Sequence, residues 1–311
     1  MAAEVNIVSV DAEHGQRLAK FLIARMKGLP KSRIYRMVRR GEVRVNGARR
    51  PPDYRVQRGD RVRIPPFRSG PPPAPGGPGP GALAEILRTA TVYEDDDLLV
   101  IDKPSGVAVH GGSGVSLGVI EALRRDDPSV PYALAHRLDR DTSGCLAVAK
   151  NRPTLLALHA ELRRGAVSKR YDLVVDGRWP AGLRVVDKPL ARYPLSSGER
   201  RVRVQDDGEP STTAFNVVDR LGGATWLTAF PRTGRTHQIR VHAAACGHPI
   251  LGDAKYAGAT AQVHPRLFLH ATALTFRLQG RRVRIDAPVP REFEALRDAL
   301  RPLNPRVSRA D

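Results

Sequence analysis

Residues 67–81 read FRSGPPPAPGGPGPG, a run so dense in proline and glycine that it has no apolar periodicity and cannot bury enough surface to fold. A chain interrupted in this way folds as separate parts on either side. Its 311 residues are enough for a large core plus a smaller module. The expected division is a small domain over 1–66, a Pro/Gly linker over 67–88, a main domain over 89–300 and a basic tail over 301–311.

Charge is spread unevenly across that division. The chain carries a formal +19, and residues 1–64 hold 3 Lys and 13 Arg against 6 acidic residues, a net of +10. Such a balance calls for a polyanionic partner, nucleic acid first, with an acidic membrane surface as the rival. The start, MAAEVNIVSVDAEHG, lacks a cationic segment followed by an apolar run, and nothing approaches the roughly 18 apolar residues of a membrane span. A soluble cytoplasmic protein with no membrane partner is expected. Of 51 basic residues, 43 are Arg, which suits forked contacts to phosphate, although codon bias gives the same excess. Cys145 and Cys246 stand far apart without a CxxC or CxxH neighbour, so neither a disulfide framework nor a zinc site is implied.

Within the first part, Leu18, Phe21 and Leu22 share one face of a helix that Gly28-Leu29-Pro30 ends. Ser32 is placed to cap a second helix with Ile34, Met37 and Val38 on its core face. Arg33, Arg36 and Arg40 fall at i, i+3 and i+7 on that helix, a cationic stripe that serves either as a phosphate track or as a solvated face. Val43-Arg44-Val45 and Arg61-Val62-Arg63-Ile64 alternate in period two, and Asn46-Gly47 is a hairpin turn pair. Two helices and a small basic hairpin sheet are predicted. The stretch from about Gln16 to Pro66, with PKSRIYRMVRRGEVRVNG and RGDRVRIPP, resembles the S4 RNA-binding domain, and the resemblance makes Arg33, Arg36 and Arg40 the expected RNA face.

Beyond Thr89 the apolar runs Leu98–Ile101, Cys145–Val148, Tyr171–Val175 and Ala214–Val218 read as strands, with helical patterns near 116–125, 153–164 and 235–246. Without regular βαβ alternation, the reading is α+β with a mainly antiparallel mixed sheet. No GxxxxGK[ST] or GxGxxG suggests a nucleotide, and none of the nine His has a metal spacing, His237 and His242 being i, i+5. No cofactor and no metal are expected.

One loop carries chemistry. His136-Arg137-Leu138-Asp139-Arg140-Asp141-Thr142-Ser143-Gly144 stands just before an apolar strand, where a rigid scaffold presents reactive groups, although Asp, Thr, Ser and Gly are also what turns are made of. This segment resembles HRLDxxTSG, the signature of pseudouridine synthases of the RluA/RluC type. YEDDDLLVIDKPSGVAVHGGSG upstream and SKRYDLVVDG, TGRTHQIRVH, GHPILGD and LFLHA downstream follow the family's order, from about residue 90 to 290.

The resemblance implies an isomerase that converts uridine to pseudouridine in RNA. The bond from uracil N1 to ribose C1′ breaks, and the base turns and rejoins through C5. A carboxylate adds to C1′ or assists through the base, and since the uracil stays in the pocket, one ionised Asp suffices and water must be kept out. By the same resemblance Asp139 is the nucleophile and Arg240 its ionic partner, with phosphate contact as the other role open to Arg240 or Arg235. Tyr171 lies against the flipped base, Ile239 completes that floor, and Arg137 fills the gap left in the RNA stack. His136 is structural or contacts RNA. Asp141, at a variable position, is structural or RNA-facing. The implied partner is large-subunit ribosomal RNA, naked or in an assembly intermediate, with the protein acting as a monomer. Transfer RNA or other ribosomal RNA uridines are the alternative substrates, and a non-catalytic RNA-binding ribosome-assembly protein, which loss of Asp139 would mark, is the other class.

Overall fold

A computed structural model of the chain describes residues 6–11, 13–26, 29, 31–66, 80–111, 117–195, 200–258 and 264–301. The chain divides into two units, one within residues 1–79 and one over 80–110 and from 117 onward.

In the first unit, helices α1 (Leu18–Arg25) and α2 (Lys31–Arg40) lie with strands β1 (Asn6–Ser9), β2 (Arg44–Val45) and β3 (Arg61–Ile64). Leu18, Phe21 and Leu22 of α1 and Ile34, Met37 and Val38 of α2 are all buried in one core with Val45, Val62 and Ile64, as the i, i+3, i+4 spacing predicts. Asn46 and Gly47 both take positive φ, 52° and 78°, and Val45 and Ala48 exchange both backbone hydrogen bonds at 3.0 Å. That is the primed two-residue turn an Asn-Gly pair favours. The sheet is larger than the expected hairpin: it is antiparallel and three-stranded in the order β1-β3-β2. The strand that sequence reading missed, β1, has three of its four residues exposed, so it shows no alternation to read. The chain over 67–79 lies outside the described residues, but the expected linker does not extend to residue 88. Helix α3 (Pro80–Thr89) occupies its end, with Leu83 and Leu87 buried one turn apart.

The second unit is built on a ten-stranded sheet. Its main path runs β4 (Thr91–Glu94), β5 (Leu98–Lys103), β7 (Ser143–Ala149), β14 (Leu269–Leu278), β8 (Ser168–Asp176), β13 (Ala224–Pro231), β12 (Thr212–Leu221) and β9 (Val185–Asp187). Strand β6 (Ala133–Leu134) joins β7 and β15 (Arg281–Asp286) joins β14, while β10 (Leu190–Pro194) and β11 (Arg200–Val204) form a separate hairpin. Among the described residues every strand pairing is antiparallel except β7 with β14, which is parallel. The α+β class with a mainly antiparallel mixed sheet is therefore what forms.

The apolar runs are continuous because the central strands are covered on both faces. Leu99 and Ile101 of β5 and Leu146 and Val148 of β7 join the cluster containing Leu83 and Leu87 of α3 and Ile120 and Leu123 of α4 (Val119–Asp126). Leu98, Val100, Cys145 and Ala147 face the other way, towards the cluster of Leu158 of α5 (Arg152–Arg163), Leu274 and Phe276. Helix α5 starts where Asn151 Oδ1 accepts the Thr154 N–H at 2.9 Å, with a proline in the first turn. Helices α6 (Gln238–Ala245) and α7 (Arg291–Ala299) complete the unit. Among the described residues no helix is long and apolar enough to cross a membrane. Residues 302–311 of the expected tail lie outside the described residues.

Candidate active site

Asp139 stands in the loop between β6 and β7, and the reasons the loop holds its shape are local. Thr142 N–H donates to the Asp139 carbonyl at 3.2 Å, closing a turn. Ser143 Oγ is within 2.8 Å of His270 Nδ1 on β14 and accepts from Arg266. Gly144 has φ +108°, and a Cβ there would sit 2.3 Å from the Ala271 carbonyl oxygen, so only glycine lets β7 approach β14 this closely. From β5, the fully buried Lys103 donates from Nζ to the carbonyls of Pro104 and Val107 at 2.8 Å and of Arg140 at 2.9 Å. Burial pulls its pKa down to about 7, and three carbonyls saturate the three donors of its protonated form. The resulting tie fixes the residue next to Asp139 to strand β5.

The opposite wall comes from the turn leading into α6. Gln238, almost fully buried, uses its whole side-chain amide: Nε2 donates to Thr212 O at 3.0 Å and Thr213 Oγ1 at 2.9 Å. Its Oε1 accepts from Arg235 N at 3.0 Å and Thr233 Oγ1 at 2.7 Å. His237 precedes the helix in left-handed backbone, φ 54°. With that turn fixed, Ile239 and Arg240 on the first turn of α6 face the same space as Asp139.

All six residues expected in this unit line one cavity of about 360 Å³: His136, Arg137, Asp139, Tyr171, Ile239 and Arg240. Arg240 Nη1 is 3.5 Å from Asp139 Oδ2. Its side chain is only 3% exposed, whereas that of Asp139 is 19% exposed. The buried guanidinium thus has the position of a carboxylate partner rather than of a surface phosphate contact. Burial works against its charge, but hydrogen bonds and charge from Asp253, and then the charge of Asp139, hold its pKa above the ordinary value. Tyr171 and Ile239 are buried apolar surfaces beside the carboxylate, and burial, with the Asp139 charge, pushes the Tyr171 phenol up. Arg137 is exposed at the cavity wall. His136 is half-buried and its Nε2 accepts the Ala147 N–H at 3.1 Å, with burial lowering its pKa to about 3. A neutral ring that ties the loop to β7 gives His136 a structural position at the cavity edge.

Several groups at the site escaped sequence reasoning. Arg240 directs Nε to Asp253 Oδ2 at 2.7 Å and Nη2 to Asp253 Oδ1 at 2.6 Å, a two-bond fork to a second carboxylate. His237 Nε2 is 3.7 Å from Asp139 Oδ2, and its Nδ1 is 2.6 Å from the Tyr256 hydroxyl. The Tyr256 oxygen also accepts the Val202 N–H at 3.2 Å, which ties the ring of His237 through Tyr256 to β11. Burial lowers the His237 pKa, opposed by the Asp139 charge. Lys169, two residues before Tyr171 on β8 and so on the same face, also lines the cavity, its pKa lowered by burial. The signal for Asp253 and Tyr256 was GDAKY at 252–256, whose acid and phenol have no spacing that names a partner thirteen residues away.

None of the arginines of the first unit is among the residues that line this cavity. Arg36 and Arg40 are exposed on α2, and the Arg33 side chain lies outside the described residues.

The family model for RNA pseudouridylate synthases matches residues 97–245, and that of the S4 domain matches residues 16–62. Ribosomal large subunit pseudouridine synthase C of Pasteurella multocida (strain Pm70) is 47% identical over 96% of this chain and 94% of that protein. The protein of the same name from Escherichia coli (strain K12) is 46% identical over 96% of this chain and 97% of that protein. The solved structure of human RNA Pseudouridylate Synthase Domain Containing 4 superposes with a TM-score of 0.59 at 25% identity, covering 69% of this chain and 94% of that one. With an aspartate, an arginine and a tyrosine converging in one cavity, behind an N-terminal S4 domain, the chain belongs to the RNA pseudouridylate synthase family and is an RNA pseudouridine synthase.

Proposed function

We propose that this enzyme isomerises uridines of large-subunit ribosomal RNA, with Asp139 as its nucleophile. The observation that carries the reading is the meeting of Asp139, Tyr171 and the adjacent pair Ile239 and Arg240 in one cavity, from three places in the sequence. The names of the relatives, similar over nearly their whole length, support the choice of RNA.

In this reading the Asp139 carboxylate takes C1′ as the bond to N1 breaks and its electron pair leaves on the uracil. Confined between Tyr171 and Ile239, the base turns, C5 attacks C1′ and the carboxylate is released. The C5 proton is then lost and N1 gains one, so atoms balance with no water and no cofactor. Arg240, 3.5 Å from Oδ2, orients Asp139 while the pocket excludes solvent. Arg137 fills the stack that the uridine leaves. His136 braces the loop, and its edge position allows an RNA contact beside that role. In the S4 domain Arg33, Arg36 and Arg40 hold phosphates. We take the enzyme to act as a monomer. We place the enzyme in the cytoplasm, with the RNA.

The test is to map pseudouridines in ribosomal and transfer RNA from cells with and without the protein, and to restore the map with wild type or Asp139→Asn. Large-subunit sites that vanish and return only with wild type support the proposal. An unchanged large-subunit map, or losses confined to transfer RNA, overturns the choice of substrate, and restoration by Asp139→Asn overturns the choice of nucleophile.

A further inference from the structure

A guanidinium beside a carboxylate closes a two-bond fork when nothing prevents it. At this site the fork is made, but to Asp253. Nε and Nη2 of Arg240 are both committed there, at 2.7 and 2.6 Å, and only Nη1 is left to face Asp139, at 3.5 Å and outside hydrogen-bond length.

The turn that supplies Asp253 is built to hold it. The Asp253 side chain is fully buried, and its Oδ1 also accepts the backbone N–H of Lys255 at 2.9 Å and of Tyr256 at 3.2 Å. Gly252, at φ +76°, would place a Cβ 1.8 Å from the Arg266 carbonyl oxygen, so the turn sits in its place only with glycine there. The Tyr256 ring lies 5.2 Å from the Arg240 guanidinium, on the same turn. One carboxylate is locked by four donors, while the other, Asp139, is approached by a single guanidinium nitrogen at 3.5 Å and by His237 Nε2 at 3.7 Å, both outside hydrogen-bond length.

We propose that Asp253 is the positioning residue of the catalytic pair: by occupying one edge of Arg240 it stops the guanidinium from forking onto Asp139, so that a carboxylate oxygen stays free for C1′. This rests on the reading of Asp139 as nucleophile. Asp253 never touches substrate and acts through Arg240 alone, which separates it from a residue that merely neutralises a buried cation.

The experiment compares full-length wild type, Asp253→Asn, Arg240→Met and the double variant, by single-turnover rate at saturating RNA and by RNA dissociation constant. An amide offers one carbonyl oxygen in place of two anionic ones and releases an edge of Arg240 to Asp139. Asp253→Asn is expected to lose about 30-fold or more in rate with an affinity within about 3-fold, because positioning and charge both act on the chemical step. Adding it to Arg240→Met should change the rate by less than about 3-fold, the non-additivity of residues acting through one group. A wild-type rate in Asp253→Asn, or a double variant that loses the product of the two single effects, overturns the proposal. Should Asp253→Asn fail to fold, the double variant, which leaves no buried charge unpaired, is set against Arg240→Met alone: equal rates support the proposal and a further loss above about 10-fold overturns it. Asp139→Asn in the same assay keeps the two readings apart. If it stays active the nucleophile is misassigned, whereas an inactive Asp139→Asn beside an unaffected Asp253→Asn removes only the positioning role.

Discussion

Arg240 meets Asp139 through the one guanidinium nitrogen that Asp253 leaves unengaged, at 3.5 Å from Oδ2. Attraction at that distance orients the carboxylate without capping it. Replacing Arg240 by Met keeps much of the apolar stem and removes the charge. The expected cost is on the order of a hundred-fold in single-turnover rate, with RNA affinity nearly unchanged because one cation among dozens is lost. A large loss of affinity at an unchanged saturated rate would instead make Arg240 a phosphate contact.

Asp139→Asn should abolish product while leaving RNA affinity within a few-fold, since phosphate contacts supply most of the binding. Asp141 is the internal control. It pairs with Arg140 at 2.8 Å on the exposed side of the same loop, so Asp141→Ala should retain activity. The opposite pattern in a quantitative pseudouridine assay would reverse the assignment of the two acids.

Gly144 is in the signature for steric reasons. An alanine there must resolve a 2.3 Å contact with the Ala271 carbonyl oxygen in a left-handed backbone region. Unfolding in urea should show Gly144→Ala destabilised by at least about 1–3 kcal/mol, the scale of a forced backbone conformation. Full stability would mean that β7 has room to move away from β14.

Acid should weaken the catalytic unit through its buried imidazoles. His136 and His270 have folded-state pKa values lowered by burial to about 3 and about 4 from 6.5. Between those values and 6.5 the unfolded chain binds more protons than the folded one. Stability therefore rises with pH in that window and falls on acidification. Each group contributes about 2 kcal/mol to the difference between pH 7 and pH 5. Urea midpoints at the two pH values should differ less in His136→Gln, whose side chain does not titrate, than in wild type.

Removing residues 1–66 takes away a net charge near half of the whole. The plot of log binding constant against log salt should become shallower by at least about 2, the equivalent of two or three phosphate contacts. Part of the turnover on a short saturating substrate should survive, because the cavity lies wholly in the second unit. An unchanged slope in a binding titration would leave the S4 domain without a role in holding RNA.

What sequence reading reached and what it missed have physical reasons. Helices α1 and α2 were legible because their apolar stripes survive intact in the core, and β5, β7 and β8 because both faces are buried and the apolar run is unbroken. Strand β1 was not, since Asn6, Ile7 and Ser9 are exposed and Val8 alone of its four residues packs against the core. Helix α3 was masked by the prolines before it, although Leu83 and Leu87 carried its spacing. Asp139, Tyr171 and Arg240 were found through motif resemblance, and a chain without that resemblance would have offered only an acid in a turn. Asp253, Tyr256, His237 and Lys103 take their roles from neighbours brought close by the sheet, and no local spacing encodes that.

The strand order β5-β7-β14-β8 has a consequence in time. Strand β14, which separates the strand after Asp139 from the strand that carries Tyr171, is made last of the four. A ribosome adds about 5–20 residues per second, so roughly 10–40 s pass between the emergence of residue 66 and that of residue 278. Through that interval the S4 domain is complete, while the strand that carries Tyr171 has no β14 to join it to β7. If the S4 domain holds RNA as proposed, the enzyme acquires that hold before its chemistry, and a chain cut short before β14 would be a binder that cannot turn over.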